Sequence, residues 1–279
     1  MIIDGNTRIV GILANPISHV RTPQLFNASA AKQGLNAVCI PCHVLNEDMK
    51  AFLACAAAIQ NYLGMAVTIP YKERALEACG ELTESAREAG SVNAMRYDRD
   101  KHLWIGGNFD GTGFVAGLRE RGHSVRGKRV LLLGAGGAAK PIAYAIAREQ
   151  PATLVIHNRS EDRAVELAAC VQRGTASVGV QAGPADASDF DVVINATSLG
   201  LRDSDPLPLP AETLRPGTLV CEAVIRDGDT PLLAEARKHS CEVHHGQYML
   251  YAQIVAIARF VGVELESTFV ERILGPHDS

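Results

Sequence analysis

Arg129–Leu133 (RVLLL) runs straight into Gly134–Ala139 (GAGGAA), and this stretch decides the fold. Apart from Arg129, the first five residues are an unbroken apolar run, as expected of a central parallel strand covered on both faces. The next six fit the pattern G-x-G-x-x-A. Gly134 permits a sharp turn, Gly136 lets the backbone approach a pyrophosphate, and the small Ala139 lets the following helix pack closely on the strand. Ala135, Gly137 and Ala138 complete a loop whose N–H groups, with those of the helix start, face phosphate oxygens. The plain alternative is a glycine-rich turn that binds nothing. The position of this one between a strong strand and a helical segment favours a dinucleotide site. Pro141 is then predicted to fall in the first helical turn, where its missing N–H costs nothing.

Three more apolar runs follow, at Thr153–Ile156, Asp191–Ile194 and Thr218–Cys221, with helical patterns between the first three. That rhythm predicts a doubly wound sheet, a Rossmann NADP-binding domain. The second strand is followed by His157-Asn158-Arg159-Ser160. An NAD site usually places an acid there for the ribose hydroxyl, whereas Arg159, helped by Arg163, suits a 2′-phosphate. NADP is therefore preferred over NAD, with Asn158, Arg159 and Ser160 as candidate contacts. Thr197 and Ser198 follow the third strand, where a ligand of such a sheet lies, although both residue types also cap helices.

The amino-terminal part alternates strand and helix as well. Strands are predicted at Arg8–Leu13, Ala37–Val44 and Gly64–Ile69, and helices from Thr22 to Gly34 (Thr22 as cap, Pro23 at the first helical position), Asn46 to Gln60 (Asn46 as cap) and Tyr71 to Cys79. Shorter β-like pieces lie at Ala94–Tyr97 and Leu103–Ile105, Gly106-Gly107 reads as a joint, and a helix follows from Thr112. An apolar helix, Tyr248–Val261, returns to the first domain. The expected organisation is an α/β substrate domain with a mixed, mostly parallel sheet (1–106, completed by 246–279) and the dinucleotide-binding domain (107–245).

Composition narrows the function classes. The net charge of -4 lacks the basic excess of a nucleic-acid binder. No apolar run approaches the roughly 18 residues of a membrane span, and the first residues lack the pattern of a signal peptide. The seven cysteines are scattered, as free thiols in the cytoplasm would be. Cys39-Ile40-Pro41-Cys42-His43 has the C-x-x-C-H form of haem attachment, but its apolar surroundings predict an ordinary strand and no metal. The quaternary state is expected to be monomer or homodimer.

Over nearly its whole length the chain resembles the shikimate dehydrogenase family. The likeness lies in Asn15–Phe26 (NPISHVRTPQLF), Ala66–Lys72 (AVTIPYK), Gly90–Ala94 (GSVNA), Gly107–Gly113 (GNFDGTG), the glycine loop, His157–Ser160, Asn195–Leu201 and Gly246–Gln253 (GQYMLYAQ). The resemblance implies a catalytic pair, Lys72 and Asp110. Reduction of a ketone leaves an alkoxide that needs a proton donor, and a lysine steadied by a carboxylate supplies one. On composition alone, Lys72 reads as an exposed residue at a helix start and Asp110 as a cap. The resemblance also implies that Asn93 bonds substrate hydroxyls, that Thr68 and Gln253 flank the ring, and that Met249 lies near the nicotinamide, where a plain core role fits it equally.

The departures fall on one side of the implied pocket. Two serines of the family's first motif hold the substrate carboxylate; here those positions are Val20 and Thr22. Ala66 replaces an asparagine, Phe109 a threonine, and Glu222-Ala223-Val224-Ile225 stands for Asp-x-x-Tyr. The resemblance thus implies an NADP-dependent dehydrogenase of a cyclic polyol, with shikimate, quinate, an amino-substituted ring or another alicyclic alcohol as substrate. Two other readings are a non-catalytic NADP-binding sensor and a methylene-tetrahydrofolate dehydrogenase, which the Gly107–Gly113 and Asn195–Leu201 segments fit less well.

Overall fold

A computed structural model of the protein describes residues 2–18, 20–175 and 177–266. The chain divides into two compact units: unit 1 comprises Met1–Phe109 and Gln253–Ser279, and unit 2 comprises Asp110–Ala252.

Unit 1 contains β1 (Arg8–Ala14), α1 (Thr22–Lys32), β2 (Ala37–His43), α2 (Met49–Ala58), β3 (Tyr62–Val67), α3 (Lys72–Ala78), β4 (Glu81–Leu82), α4 (Glu84–Ala89), β5 (Ala94–Asp98) and β6 (Leu103–Gly107). Its strands form one sheet in the order β2-β1-β3-β5-β6-β4. Among the described residues, β5 alone runs against the others. One core packs Met49 and Leu53 of α2, Ala75 of α3 and Ala86 of α4 with Leu13, Met65, Met95 and Trp104 of the strands. The end of the described chain is stitched to its beginning. Arg8 Nη1 donates to the Gly262 carbonyl at 3.1 Å, and the Glu266 N–H donates to Gln33 Oε1 at 3.1 Å.

Unit 2 contains α5 (Asp110–Glu120), β7 (Arg129–Leu133), α6 (Ala139–Arg148), β8 (Thr153–His157), α7 (Glu161–Gly174), β9 (Gly179–Ala182), β10 (Val192–Asn195), β11 (Leu219–Glu222), α8 (Pro231–Lys238) and β12 (Glu242–His244). α9 (Gly246–Phe260) begins in unit 2 and ends in unit 1. The second sheet has the order β12-β11-β10-β7-β8-β9, with every pairing parallel. Its first strand, β7, explains the unbroken apolar run. Val130 and Leu132 enter a core with Phe114, Ile142 and Leu167 of α5, α6 and α7. Leu131 and Leu133 enter a separate core with Leu232, Leu233 and Ala236 of α8. All four strand residues are fully buried, each leucine being worth roughly 1.5–3 kcal/mol. The fold class is the one expected: a Rossmann unit and an α/β unit with a mixed, mostly parallel sheet.

Several local expectations need correction. Thr22 is not the cap of α1. Arg21 holds that position and makes no side-chain capping bond to the helix, and Pro23 sits second in the helix. Asn46 opens a single 3₁₀ turn, Asn46–Asp48, and α2 starts only at Met49 with no side-chain cap. Gly106-Gly107 lies inside β6, where both residues pair with β5. α5 starts at Asp110 and not at Thr112. The expected strand at Cys39–His43 is present as β2, and Cys39 and Cys42 are free thiols. Pro141 is third in α6, within the first turn as required. No helix of the described residues is long and apolar enough to cross a membrane, and no cluster among them offers three metal-ligating side chains.

Candidate active site

In unit 1 the strand directions gather the candidate residues along one sheet edge, where β1, β3 and β6 end and β5 begins. Backbone bonds tie this edge together. The Thr68 N–H donates to the Leu13 carbonyl at 3.0 Å, the Val67 N–H to the Asn93 carbonyl at 2.7 Å, and the Asn93 N–H to the Gly107 carbonyl at 2.9 Å. The Lys72 carbonyl accepts from the Val92 N–H at 2.8 Å, which fixes the start of α3 beside the start of β5. Thr68, Lys72 and Asn93 are thus brought together. Asn93 is buried at 2 % exposure, and its Oδ1 accepts from the Phe109 N–H at 2.9 Å. A buried amide held this way has its side chain fixed in orientation.

Val20 and Thr22 are half-buried at the start of α1, the element after β1. Gln253 is half-buried on α9. Two of the replaced positions, Ala66 and Phe109, are apolar in surroundings as well as in kind. Ala66 is buried and pairs with Ala94 across the sheet. The Phe109 ring lies 5.2 Å from that of Phe260. Sequence reading missed two hydrogen-bonded pairs on this edge. Asn15 shares a 3.0 Å bond with His43, and buried Asn108 donates through Nδ2 to the Ser91 carbonyl at 3.2 Å and to its hydroxyl at 3.1 Å. Asn15 and Asn108 belong to the NPIS and GNFDG segments, which was the available signal.

In unit 2 the strand order reverses between β7 and β10, so the crevice at their carboxyl ends is a natural ligand position. The Gly134 N–H donates to the His157 carbonyl at 2.7 Å, and the Ala196 N–H donates to the Leu133 carbonyl at 2.8 Å. Gly134 has φ +114, and a Cβ there would stand 2.8 Å from the Ala196 carbonyl oxygen. Its requirement for glycine is therefore internal to the fold. Gly136 and Gly137 differ: a Cβ on either would meet nothing within 4 Å. They are exposed, with Ala135 and Ala138 half-buried beside them, and lead into the N-terminus of α6. A bare cradle with free donors fits a pyrophosphate.

After β8, Asn158 donates through Nδ2 to the Ser160 carbonyl at 2.9 Å, and Arg159 is exposed between them. Exposed charge beside the cradle fits a phosphate ester. Thr197 and Ser198 cap no helix. Thr197 instead shapes a turn, its hydroxyl donating to Asn195 Oδ1 at 2.7 Å and accepting from the Leu199 N–H at 3.0 Å. Ser198 is exposed at the turn's tip. Met249 is buried in the core with Phe114 and Ile142.

Asp110 is buried, at 3 % exposure, as the first residue of α5, where the helix dipole favours a negative charge. A Cβ on the next residue, Gly111, would fall 2.1 Å from the Pro141 carbonyl oxygen. The missing side chain thus lets the start of α5 lie directly on α6. The first residue of the Glu222–Ile225 segment has partners that sequence reading did not assign. Glu222 is fully buried and accepts from Asn195 Nδ2 and from the Thr230 hydroxyl at 2.7 Å. Burial pushes its carboxyl up to about 7, although those donors pull the other way.

Comparison with known proteins places this geometry. Residues 12–95 match the family model of the shikimate dehydrogenase substrate binding domain, and residues 118–200 match that of shikimate / quinate 5-dehydrogenase. The NADP(+) shikimate dehydrogenase of Rubrobacter xylanophilus is 39% identical, with 98% of this chain and 97% of that protein covered. A shikimate 5-dehydrogenase from Listeria monocytogenes, solved with shikimate and NAD, superposes with TM-score 0.88 at 28% identity, covering 98% of each chain. A 5-ketofructose reductase from a Gluconobacter strain superposes with TM-score 0.87 at 29% identity, covering 97% of this chain and 99% of that one.

Proposed function

Because this chain belongs to the shikimate dehydrogenase family, we propose that it interconverts a ring alcohol and its ketone, with shikimate or a close analogue as substrate and NADP as the preferred nicotinamide. It is a nicotinamide-dependent oxidoreductase acting on a cyclic polyol. Bound nicotinamide supplies or accepts the hydride. The rest of the chemistry falls to the protein. In reduction Lys72 gives the alkoxide oxygen its proton, and in oxidation it takes the proton from the alcohol. Asp110 provides the carboxylate half of this proton-handling set. Asn93, Thr68 and Gln253 hold the ring hydroxyls, and Thr22 remains as a hydroxyl donor toward the substrate carboxylate. Unit 1 is assigned the substrate and unit 2 the nucleotide, with Met249 of unit 2 toward the nicotinamide end.

The observation that carries this reading is the backbone ladder that sets Thr68, Lys72 and Asn93 on one sheet edge. The preference for NADP rests on exposed Arg159 beside the cradle of Gly136 and Gly137. A reducing, cytoplasmic setting is supported by seven free cysteines, of which Cys39 and Cys221 are buried.

Val20, Ala66, Phe109 and Ile225 remove polar groups from the carboxylate side, so this enzyme discriminates less against rings that lack the carboxylate. The likeness to a reductase of 5-ketofructose, a compound without a carboxylate, favours the same reading. The test is reduced-nicotinamide absorbance with NADP or NAD and a panel of shikimate, quinate and carboxylate-free cyclic polyols. Turnover of shikimate with NADP, and of carboxylate-free rings within about a hundredfold in kcat/KM, supports the proposal. Activity confined to shikimate, at levels that exclude all other rings, removes the relaxed-specificity part. No turnover with any ring removes the whole.

A further inference from the structure

Unit 1 contains a second hollow, at the sheet edge opposite the candidate substrate residues. It is a cavity of about 400 Å³ lined by the start of β3, the end of β5 and the end of α9. Thr68 and Asn93 lie at the other ends of β3 and β5, and the length of β3, Tyr62 to Val67, separates the two places by roughly 16 Å.

Three guanidinium groups line this cavity, from Arg96, Arg99 and Arg259, and none of its described lining residues is acidic. Arg99 is fixed by neutral acceptors. Its Nη1 donates to the Ala57 carbonyl at 3.1 Å, and its Nη2 donates to the carbonyls of Ile59 at 2.7 Å and Gln60 at 3.1 Å. The side chain is pinned and its charge is not neutralised. Arg96 lies over the Phe260 ring at 5.4 Å, and Arg99 over the Tyr97 ring at 5.8 Å. Arg259 pairs with Glu264 at 3.3 Å, but both side chains are about two-thirds exposed or more, so the pair holds weakly and exchanges readily. The neighbouring Asp98 turns its Oδ1 to the backbone N–H groups of Asp100 and Lys101. Three like charges around one hollow repel one another, and an incoming anion relieves that repulsion. Guanidinium forks suit carboxylate and phosphate oxygens in particular.

Size decides the class of anion. A cavity of this volume falls in the range of small-molecule sites and is far larger than a bare inorganic ion needs. Its remaining walls include Leu63, Tyr97, Phe260 and Val261 beside the polar Gln60, which gives a ring-bearing body apolar contact. We propose that this cavity is a second ligand site, separate from the substrate edge, for a small ring-bearing organic anion whose carboxylate or phosphate lies between Arg96 and Arg259. The proposal does not rest on the enzymatic reading.

The test is calorimetric titration of phenyl phosphate, and separately of inorganic phosphate, into the full-length protein. Saturating NADP is present throughout, so that the phosphate cradle is filled. Arg96→Gln and Arg259→Gln are titrated alongside, because Arg99 supports three carbonyls and its loss risks the fold. The expected result is saturable binding of phenyl phosphate, at least tenfold weaker binding of inorganic phosphate, and at least tenfold loss in each variant. Turnover by Arg96→Gln without the probe should match the parent. Equal affinity of parent and variants places the probe elsewhere and overturns the proposal. Equal affinity for the two anions overturns the ring-bearing part, and absence of binding overturns the site.

Discussion

Asn195 and Glu222 are register partners on neighbouring strands β10 and β11, and Asn195 Nδ2 reaches both Glu222 oxygens, at 3.2 and 3.0 Å. The same amide holds the 195–200 turn through its oxygen, which accepts from the N–H and the hydroxyl of Thr197. Glu222 is therefore the buried anchor of the 195–200 turn.

Its titration gives a signed prediction. The ordinary glutamate value of 4.5 is raised to about 7 in the folded protein. The folded state holds this proton more tightly, so the associated stability is present below pH 4.5 and is lost as pH rises through 7. The full effect is roughly 3 kcal/mol. In denaturant melts between pH 4 and 8, the parent should lose stability relative to Glu222→Gln across that window. Parallel curves for the two proteins would show that Glu222 does not titrate there.

Lys72→Ala should lower kcat by about two to four orders of magnitude. NADP affinity, measured by fluorescence titration, should remain within about twofold. Loss of both together would mean that Lys72 supports the fold or the nucleotide site.

The glycine loop predicts two opposite phenotypes. Gly134→Ala forces a side chain into a positive-φ position against the Ala196 carbonyl, and should cost more than about 1 kcal/mol of stability. Gly136→Ala meets open space and should melt within about 0.5 kcal/mol of the parent. Its methyl group nevertheless occupies the pyrophosphate approach, and NADP affinity should fall about tenfold or more.

Arg159→Ala should weaken NADP by about tenfold or more, the worth of a charged hydrogen bond to phosphate, while leaving NAD nearly unchanged. An equal loss for both nucleotides would move Arg159 away from the 2′-phosphate.

Restoring lost hydroxyls should narrow the substrate range. Val20→Ser and Ile225→Tyr are each expected to lower the KM for shikimate by about tenfold, with little change for rings without a carboxylate. Steady-state kinetics on both substrate types reads this directly.

How much of this was legible beforehand depended on the length of the signal. β7 matched its expected bounds because four consecutive apolar residues, buried on both faces, leave no periodic ambiguity. β4, β9, β12, α4 and α8 were not anticipated, because strands of two to four residues and short helices carry too few turns of pattern. Helix caps at Thr22 and Asn46 were misplaced because residue type was weighed without backbone geometry, and side chains that do cap include those of Thr83 and Thr230. The candidate site residues came from motifs. The pairs Asn15–His43, Asn108–Ser91 and Glu222–Thr230 did not, since topology and not local spacing brings them together. Gly111 went unread for the same reason: its need to be glycine comes from Pro141 on another helix.

The bonds from Arg8 to Gly262 and from Glu266 to Gln33 fix an order of events on the ribosome. Unit 2 is one continuous segment, Asp110–Ala252, whereas unit 1 needs both ends of the chain. The first 109 residues therefore emerge early and wait while the whole Rossmann segment is made. At ordinary synthesis rates that delay is roughly 8–30 s. Throughout it the partners of Arg8 and Gln33 are missing, so chaperone cover for the nascent amino-terminal segment serves this fold.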